Sequence, residues 1–159
     1  MESKERNSFL ETKLLKIEEL PHTADVKYHV EGDNLNEAFE LCGYCYGLTV
    51  TNLKKIEYIE NVEFELNSED LEGLLYDFMT ELIFLFDTKG LIVSQFTNIQ
   101  IRKKNSGFSI HVMGKGQKFD PSIHERKTEI KAMTYSEMEI DVDYADFKNP
   151  VSIIIVFDI

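Results

Sequence analysis

Between residues 69 and 88 the apolar side chains Leu71, Leu74, Leu75, Phe78, Leu82, Leu85 and Phe86 recur every three or four positions. That period places them on one stripe of a long helix. Asn67-Ser68-Glu69-Asp70 gives the helix a polar, acidic start, suited to the positive end of its dipole, and Lys89-Gly90 gives it a cationic last turn and a terminating glycine. The stripe is rich in aromatic residues, but its ordinary use is core packing.

A second helix is expected after Gly32-Asp33. Asn34 can cap it, and Glu37 three residues on completes a capping-box pattern. Leu35, Ala38, Phe39, Cys42, Cys45 and Tyr46 form its buried stripe, with Gly47 and the β-branched Thr49-Val50-Thr51 ending it. Cys42 and Cys45 share that face as small core residues, and no second cysteine pair exists to complete a zinc site.

Most of the remaining chain reads as strands. Segments at about 13–18, 25–31 and 61–66 are the candidates before the long helix; 25–31 and 61–66 alternate apolar and polar residues. After Gly90, residues 91–102 form one strand or two divided near Thr97. Asn105-Ser106-Gly107 is a hairpin turn, and Phe108, Ile110 and Val112 face inward on the return. Gly114-Lys115-Gly116 is expected to open a long irregular loop reaching about Arg126. A strand then follows at 128–135, with 137–141 continuing it or forming another, then an acidic turn at 141–149 and a buried closing strand at 151–157. The expectation is an α+β fold, two helices packed on a mainly antiparallel β-sheet in a layered single domain. Residues 1–12 carry few apolar positions and are expected to be a flexible tail, leaving 13–159 as the folded unit.

Charge narrows the function classes. There are 29 acidic against 17 basic residues, a net charge of −12. A phosphate backbone needs clustered Lys and Arg, so tight direct nucleic-acid binding is disfavoured, whereas metal ions and basic partner proteins suit the surface. No apolar run reaches the length of a membrane span, and the charged start lacks a signal core, so a cytoplasmic protein is expected, nuclear as well if eukaryotic. No Ser stands in a G-x-S-x-G elbow, and there is no P-loop, G-x-G-x-x-G or HExxH spacing. Nothing marks an independent enzyme. His29 and His111 are expected on outer strand faces, and a stand-alone metal hydrolase would lack a visible nucleophile or base.

One stretch does carry candidate chemistry. In Pro21-His22-Thr23-Ala24-Asp25-Val26, an imidazole and a carboxylate stand three residues apart where a loop enters a strand. Far away, Phe157-Asp158-Ile159 offers a second carboxylate and, at Ile159, a main-chain carboxylate. If these places meet, their oxygens could hold a hard divalent cation, calcium or magnesium. The alternative is that Asp25 caps a local turn and Asp158 is a solvated strand end. His22 could orient Asp25 or ligate a softer metal, or simply bond a nearby backbone group.

His22-Thr23-Ala24-Asp25-Val26, Gly32-Asp33, and Leu35-Asn36-Glu37-Ala38-Phe39 resemble the archease family. So do Asp70-Leu71-Glu72-Gly73-Leu74-Leu75-Tyr76-Asp77-Phe78 with Glu81-Leu82, Glu129-Ile130-Lys131-Ala132-Met133-Thr134-Tyr135, and the closing Asp158-Ile159. The resemblance runs in order over about 14–159. It implies a protein cofactor that activates a GTP-dependent RNA ligase of the RtcB type, promoting ligase guanylylation and multiple turnover in tRNA splicing. By match, the resemblance implies a divalent metal held by Asp25 and Asp158, with the Ile159 carboxylate as a further candidate and His22 beside Asp25. Lys131 matches a family position. Lys27, Tyr28, the Cys42-Gly43-Tyr44-Cys45 segment and the 141–149 loop depart from the family pattern, which affects loop shape and partner detail. Relatives have also been proposed to act as chaperone-like modules for RNA-modifying enzymes such as a tRNA methyltransferase. That reading needs exposed apolar surface rather than a metal pair.

Overall fold

A computed structural model describes residues 3–159 of the chain. Three α-helices and seven strands follow in the order α1 (Ser3–Leu14), β1 (Ile17–Leu20), β2 (Asp25–Gly32), α2 (Leu35–Val50), β3 (Glu60–Ser68), α3 (Leu71–Lys89), β4 (Leu91–Lys104), β5 (Gly107–Lys118), β6 (Ala132–Asp141) and β7 (Val151–Asp158). The strands form two antiparallel sheets, one of four strands in the order β1-β2-β7-β6 and one of three in the order β3-β5-β4. The α+β class holds, with one helix and one sheet more than the sequence reading anticipated. α2 packs on β2, β4 and β7, and α3 on β3, β4, β5 and β6. One core therefore joins both helices to both sheets.

The two long helices start and stop where local chemistry dictates. The Asn34 side chain accepts a hydrogen bond from the Glu37 N–H, and Glu37 reaches back to the N–H of Asp33. Gly47 does not end α2, which continues to Val50; a Cβ at Gly47 would stand 2.6 Å from the Leu53 side chain, so the glycine admits that side chain. Asp70 caps α3 by accepting from the Gly73 N–H, and Gly90, at φ 66°, closes it in the left-handed region.

The structure differs from the sequence reading in four places. The segment expected as a flexible tail over 1–12 is helical from Ser3 onward, residues 1 and 2 lying outside the described residues. Its apolar pattern is weak, and tertiary contacts hold it: Leu10 is 2% exposed, and Lys13 pairs with Glu37 at 2.8 Å and Glu40 at 3.2 Å on α2. The first strand accordingly begins at Ile17 rather than 13. Gly114 and Gly116 lie inside β5 and do not open a loop. A bulge in β4 brings its backbone against them: a Cβ at Gly114 would stand 2.7 Å from the Gln95 carbonyl oxygen, and one at Gly116 would fall onto that of Ile92. The irregular segment instead covers 119–131, and β6 begins only at Ala132.

Candidate functional site

Core packing at the end of the four-stranded sheet decides which side chains emerge there. Phe157 on β7 is fully buried and meets Tyr28 and Tyr46 edge-on, with ring centroids 6.4 and 6.3 Å away. Its register partner is Val26 on β2. Side chains alternate along a strand, so the next residues, Asp25 and Asp158, are directed to the opposite face. They are register partners of each other. Two carboxylates 133 positions apart in the sequence thus stand directly across an antiparallel pair, where Cβ atoms are about 4.5–5.5 Å apart. On the other side of β7, Ala132 of β6 is also in register with Asp158, and the Lys131 N–H donates to the Asp158 carbonyl at 2.8 Å. Ile159 is half-buried against the core.

Like charges directly opposite destabilise a ladder. Among the described residues no Lys or Arg pairs with either carboxylate. His22 is the basic side chain recorded beside Asp25. Among the described residues no group of three or more His, Cys, Asp or Glu side chains is gathered as a ready-made metal shell. Asp158 is exposed, while Asp25 is 31% exposed in its side chain. Two carboxylates could supply only part of a magnesium or calcium shell, the rest having to come from water or another molecule's oxygens.

His22 lies beside Asp25, with Nδ1 3.6 Å from Asp25 Oδ2. Its Nε2 bonds Glu137 Oε2 at 2.6 Å, and Lys27 Nζ reaches Glu137 Oε1 at 3.2 Å. Hydrogen bonds from His22 and Lys27 hold the Glu137 carboxyl below the usual glutamate range. Glu137 reaches them because the β6 ladder breaks between Thr134 and Glu139, freeing residues 135–138, with Glu137 itself at φ 56°. Val156, in register with both Lys27 and Thr134, is fully buried between these strands. Ala24, at φ 68°, shapes the loop before Asp25. Sequence reasoning missed Glu137; its available signal was the interruption separating the 128–135 and 137–141 segments.

The other singled-out residues have structural partners. His29 bonds Ser152, His111 bonds Glu63, and buried His124 accepts from the Asp120 N–H and bonds Gln117. Cys42 and Cys45 are fully buried free thiols. Among the described residues no helix is long and apolar enough to cross a membrane.

The molecule is thus a small antiparallel α+β domain with two opposed carboxylates at one end of its four-stranded sheet. The sequence model of the Archease protein family (MTH1598/TM1083) matches residues 17–159. Protein archease of Pyrococcus furiosus is 40% identical over 124 residues, 78% of this chain and 87% of that one. Protein archease-like of Drosophila melanogaster is 37% identical over 137 residues, covering 84% and 86%. The solution structure of Methanobacterium thermoautotrophicum protein 1598 superposes with a TM-score of 0.75 at 28% identity, covering 91% of this chain and 99% of that one. The chain belongs to the archease family, and this membership supports a protein-cofactor role in RNA processing.

Proposed function

We propose that this protein is a metal-binding cofactor that activates a GTP-dependent RNA ligase of the RtcB type, promoting ligase guanylylation and multiple turnover in tRNA splicing. The observation that carries the reading is the pairing of Asp25 with Asp158 across β2 and β7. Asp25 and Asp158 would hold calcium or magnesium, with the main-chain carboxylate of Ile159 as a further donor. The ion supplies a compact positive charge able to bind phosphate oxygens. The chain's own residues position it: the strand register sets the carboxylates opposite each other, and buried Phe157 fixes the end of β7.

Docking follows from charge and from exposed aromatic surface. A net charge of −12 steers the protein toward a basic surface, the kind a ligase needs to bind RNA. Tyr135 opens the β6 interruption and stacks on Tyr76, with centroids 4.3 Å apart and planes 8° apart, and it is 56% exposed. An exposed aromatic ring such as Tyr135 provides an anchor of the kind that dominates interface energetics. A cofactor working with this ligase would act in the cytoplasm, or also in the nucleus of a eukaryotic cell.

Guanylylation of the purified ligase, followed with labelled GTP, tests the reading. Asp25→Ala and Asp158→Ala are expected to remove stimulation. Full stimulation by both variants would reject it, and metal-independent protection of a client enzyme without any effect on ligation would favour the chaperone-like alternative.

A further inference from the structure

We propose that the cavity between the C-terminal ends of α2 and α3 binds a single guanine nucleotide, its base stacked on the aromatic wall and edge-bonded to Asp87, and its phosphate held by Arg126. The site is separate from the carboxylate pair and does not depend on it. Tyr46, which lines the cavity, packs on Phe157 at the core face of β7, whereas Asp25 and Asp158 are directed to the opposite face.

The walls are preformed. The cavity encloses about 380 Å³, at the small end of the range of ligand pockets. The irregular 119–131 segment makes one wall, and hydrogen bonds pin it along its length. The Phe119 N–H donates to the Gly90 carbonyl, the Lys127 and Thr128 N–H groups donate to the Val50 and Thr49 carbonyls at the end of α2, and the Thr51 hydroxyl donates to the Glu125 carbonyl. His124, 5% exposed, holds the turn between by accepting from the Asp120 N–H. The rings of Tyr46, Phe86 and Phe119 follow one another edge to face, with centroids 6.4 and 6.0 Å apart. The Arg126 guanidinium lies over Phe119, 4.8 Å from its centroid. Flat heterocycles are recognised by stacking on such rings and guanidinium planes.

The polar groups of the cavity lack partners within the chain. Tyr46 is 3% exposed, yet its hydroxyl has no hydrogen-bond partner among the described residues and is not sealed off. A buried phenol normally finds a partner. This one opens on the side of Asp87: burial, and then the Asp87 charge, push its pKa up. Asp87 and Arg126 both line the cavity, but among the described residues neither forms an ion pair, with the other or with any other group. A carboxylate and a guanidinium held apart over an aromatic wall suit a flat ligand with N–H donors at one end and an anion at the other. The guanidinium fork matches phosphate oxygens. An ionised carboxylate only accepts hydrogen bonds, and among the nucleobases guanine alone carries two adjacent N–H donors on one edge. The Tyr46 hydroxyl can donate to the carbonyl oxygen beside that edge. A net charge of −12 disfavours a long phosphate backbone, which leaves a single nucleotide as the ligand.

The experiment is proton–nitrogen NMR on the full-length protein, titrated separately with GMP, AMP, guanosine and inorganic phosphate, and with a short RNA containing guanine. GMP is expected to give saturable shifts at Tyr46, Asp87 and Arg126 and to bind at least about tenfold tighter than AMP, guanosine or phosphate. Asp87 and Arg126 are exposed, so Asp87→Asn and Arg126→Gln should leave the fold intact. Asp87→Asn removes the preference for GMP over AMP, and Arg126→Gln reduces GMP binding to the level of guanosine. The absence of saturable shifts at these residues with millimolar GMP overturns the proposal. So do equal affinities for GMP and AMP, or for GMP and phosphate alone. RNA binding there more tightly than GMP overturns the assignment to a single nucleotide.

Discussion

Replacing Asp158 by Asn should make the metal-free protein slightly more stable while abolishing its stabilisation by metal. The two signs come from one contact. In the metal-free protein Asp158 opposes Asp25 across the ladder, a like-charge arrangement costing about 0.2–1 kcal/mol. Asp158 is exposed, so solvent and salt screening place the cost in the lower half of that range. A domain of this size shifts by about 2–4 °C per kcal/mol, so Asp158→Asn in EDTA should raise Tm by up to about 2 °C. Metal adds RT ln(1 + [M]/Kd), about 2.7 kcal/mol at a hundredfold excess over Kd, or about 5–11 °C for the natural chain. The variant keeps one carboxylate of the pair and should lose most of that rise. Differential scanning fluorimetry at fixed ionic strength, with and without divalent chloride, reads both quantities. A natural chain whose Tm does not move with magnesium, calcium, manganese or zinc at millimolar concentration would refute the reasoning, as would an Asp158→Asn protein stabilised as much as its parent.

Away from the site, Glu37→Gln should cost about 2 kcal/mol at neutral pH and almost nothing near pH 2. Burial pushes the Glu37 carboxyl up, but hydrogen bonds from Lys13, Lys16 and the Asp33 N–H outweigh it and bring its pKa to about 2. A carboxyl depressed below its unfolded value of 4.5 contributes fully above that pH and loses its contribution as pH falls toward 2. Urea melts of both proteins at pH 7 and pH 2.5 should converge on acidification; a gap equal at both values contradicts the assignment. Gly116→Ala should cost about 3 kcal/mol or more, because its methyl group meets the Ile92 carbonyl of the neighbouring strand. Gly90→Ala, with open space around it and only left-handed backbone to tolerate, should cost about 1 kcal/mol. The reverse order in urea denaturation would mean that the close approach of β4 and β5 is not as described.

What was legible in the sequence is what local chemistry determines. Asn34 and Asp70 cap their helices as their positions indicated, and the hydrophobic periods of α2 and α3 gave both buried faces. Asp25 was singled out where a loop enters an alternating strand, Asp158 at the end of a buried one, and the family resemblance joined them; the register places them opposite each other. Long-range packing was not legible. α1 has almost no amphipathic pattern, and Leu10 with the Lys13 pairs to α2 orders it. Gly114 and Gly116 carry a loop signature, yet they mark the close passage of two strands. Glu137 escaped notice because its role depends on a register shift against β7, and no single-chain period encodes that shift.

The distribution of local conflict is itself an argument about function. Over most of the chain, caps, glycines and hydrophobic periods agree with the fold, as minimally frustrated sequences require. At one end of the four-stranded sheet they disagree. Two carboxylates oppose each other, two non-glycine residues take left-handed backbone, a buried imidazole nitrogen lacks a partner, and β6 leaves its ladder for four residues. Each of these weakens the isolated protein. A fold selected for its own stability alone would place a Lys or Asn at one of these positions. Local conflict concentrated in this way is expected of a functional site rather than of a scaffold.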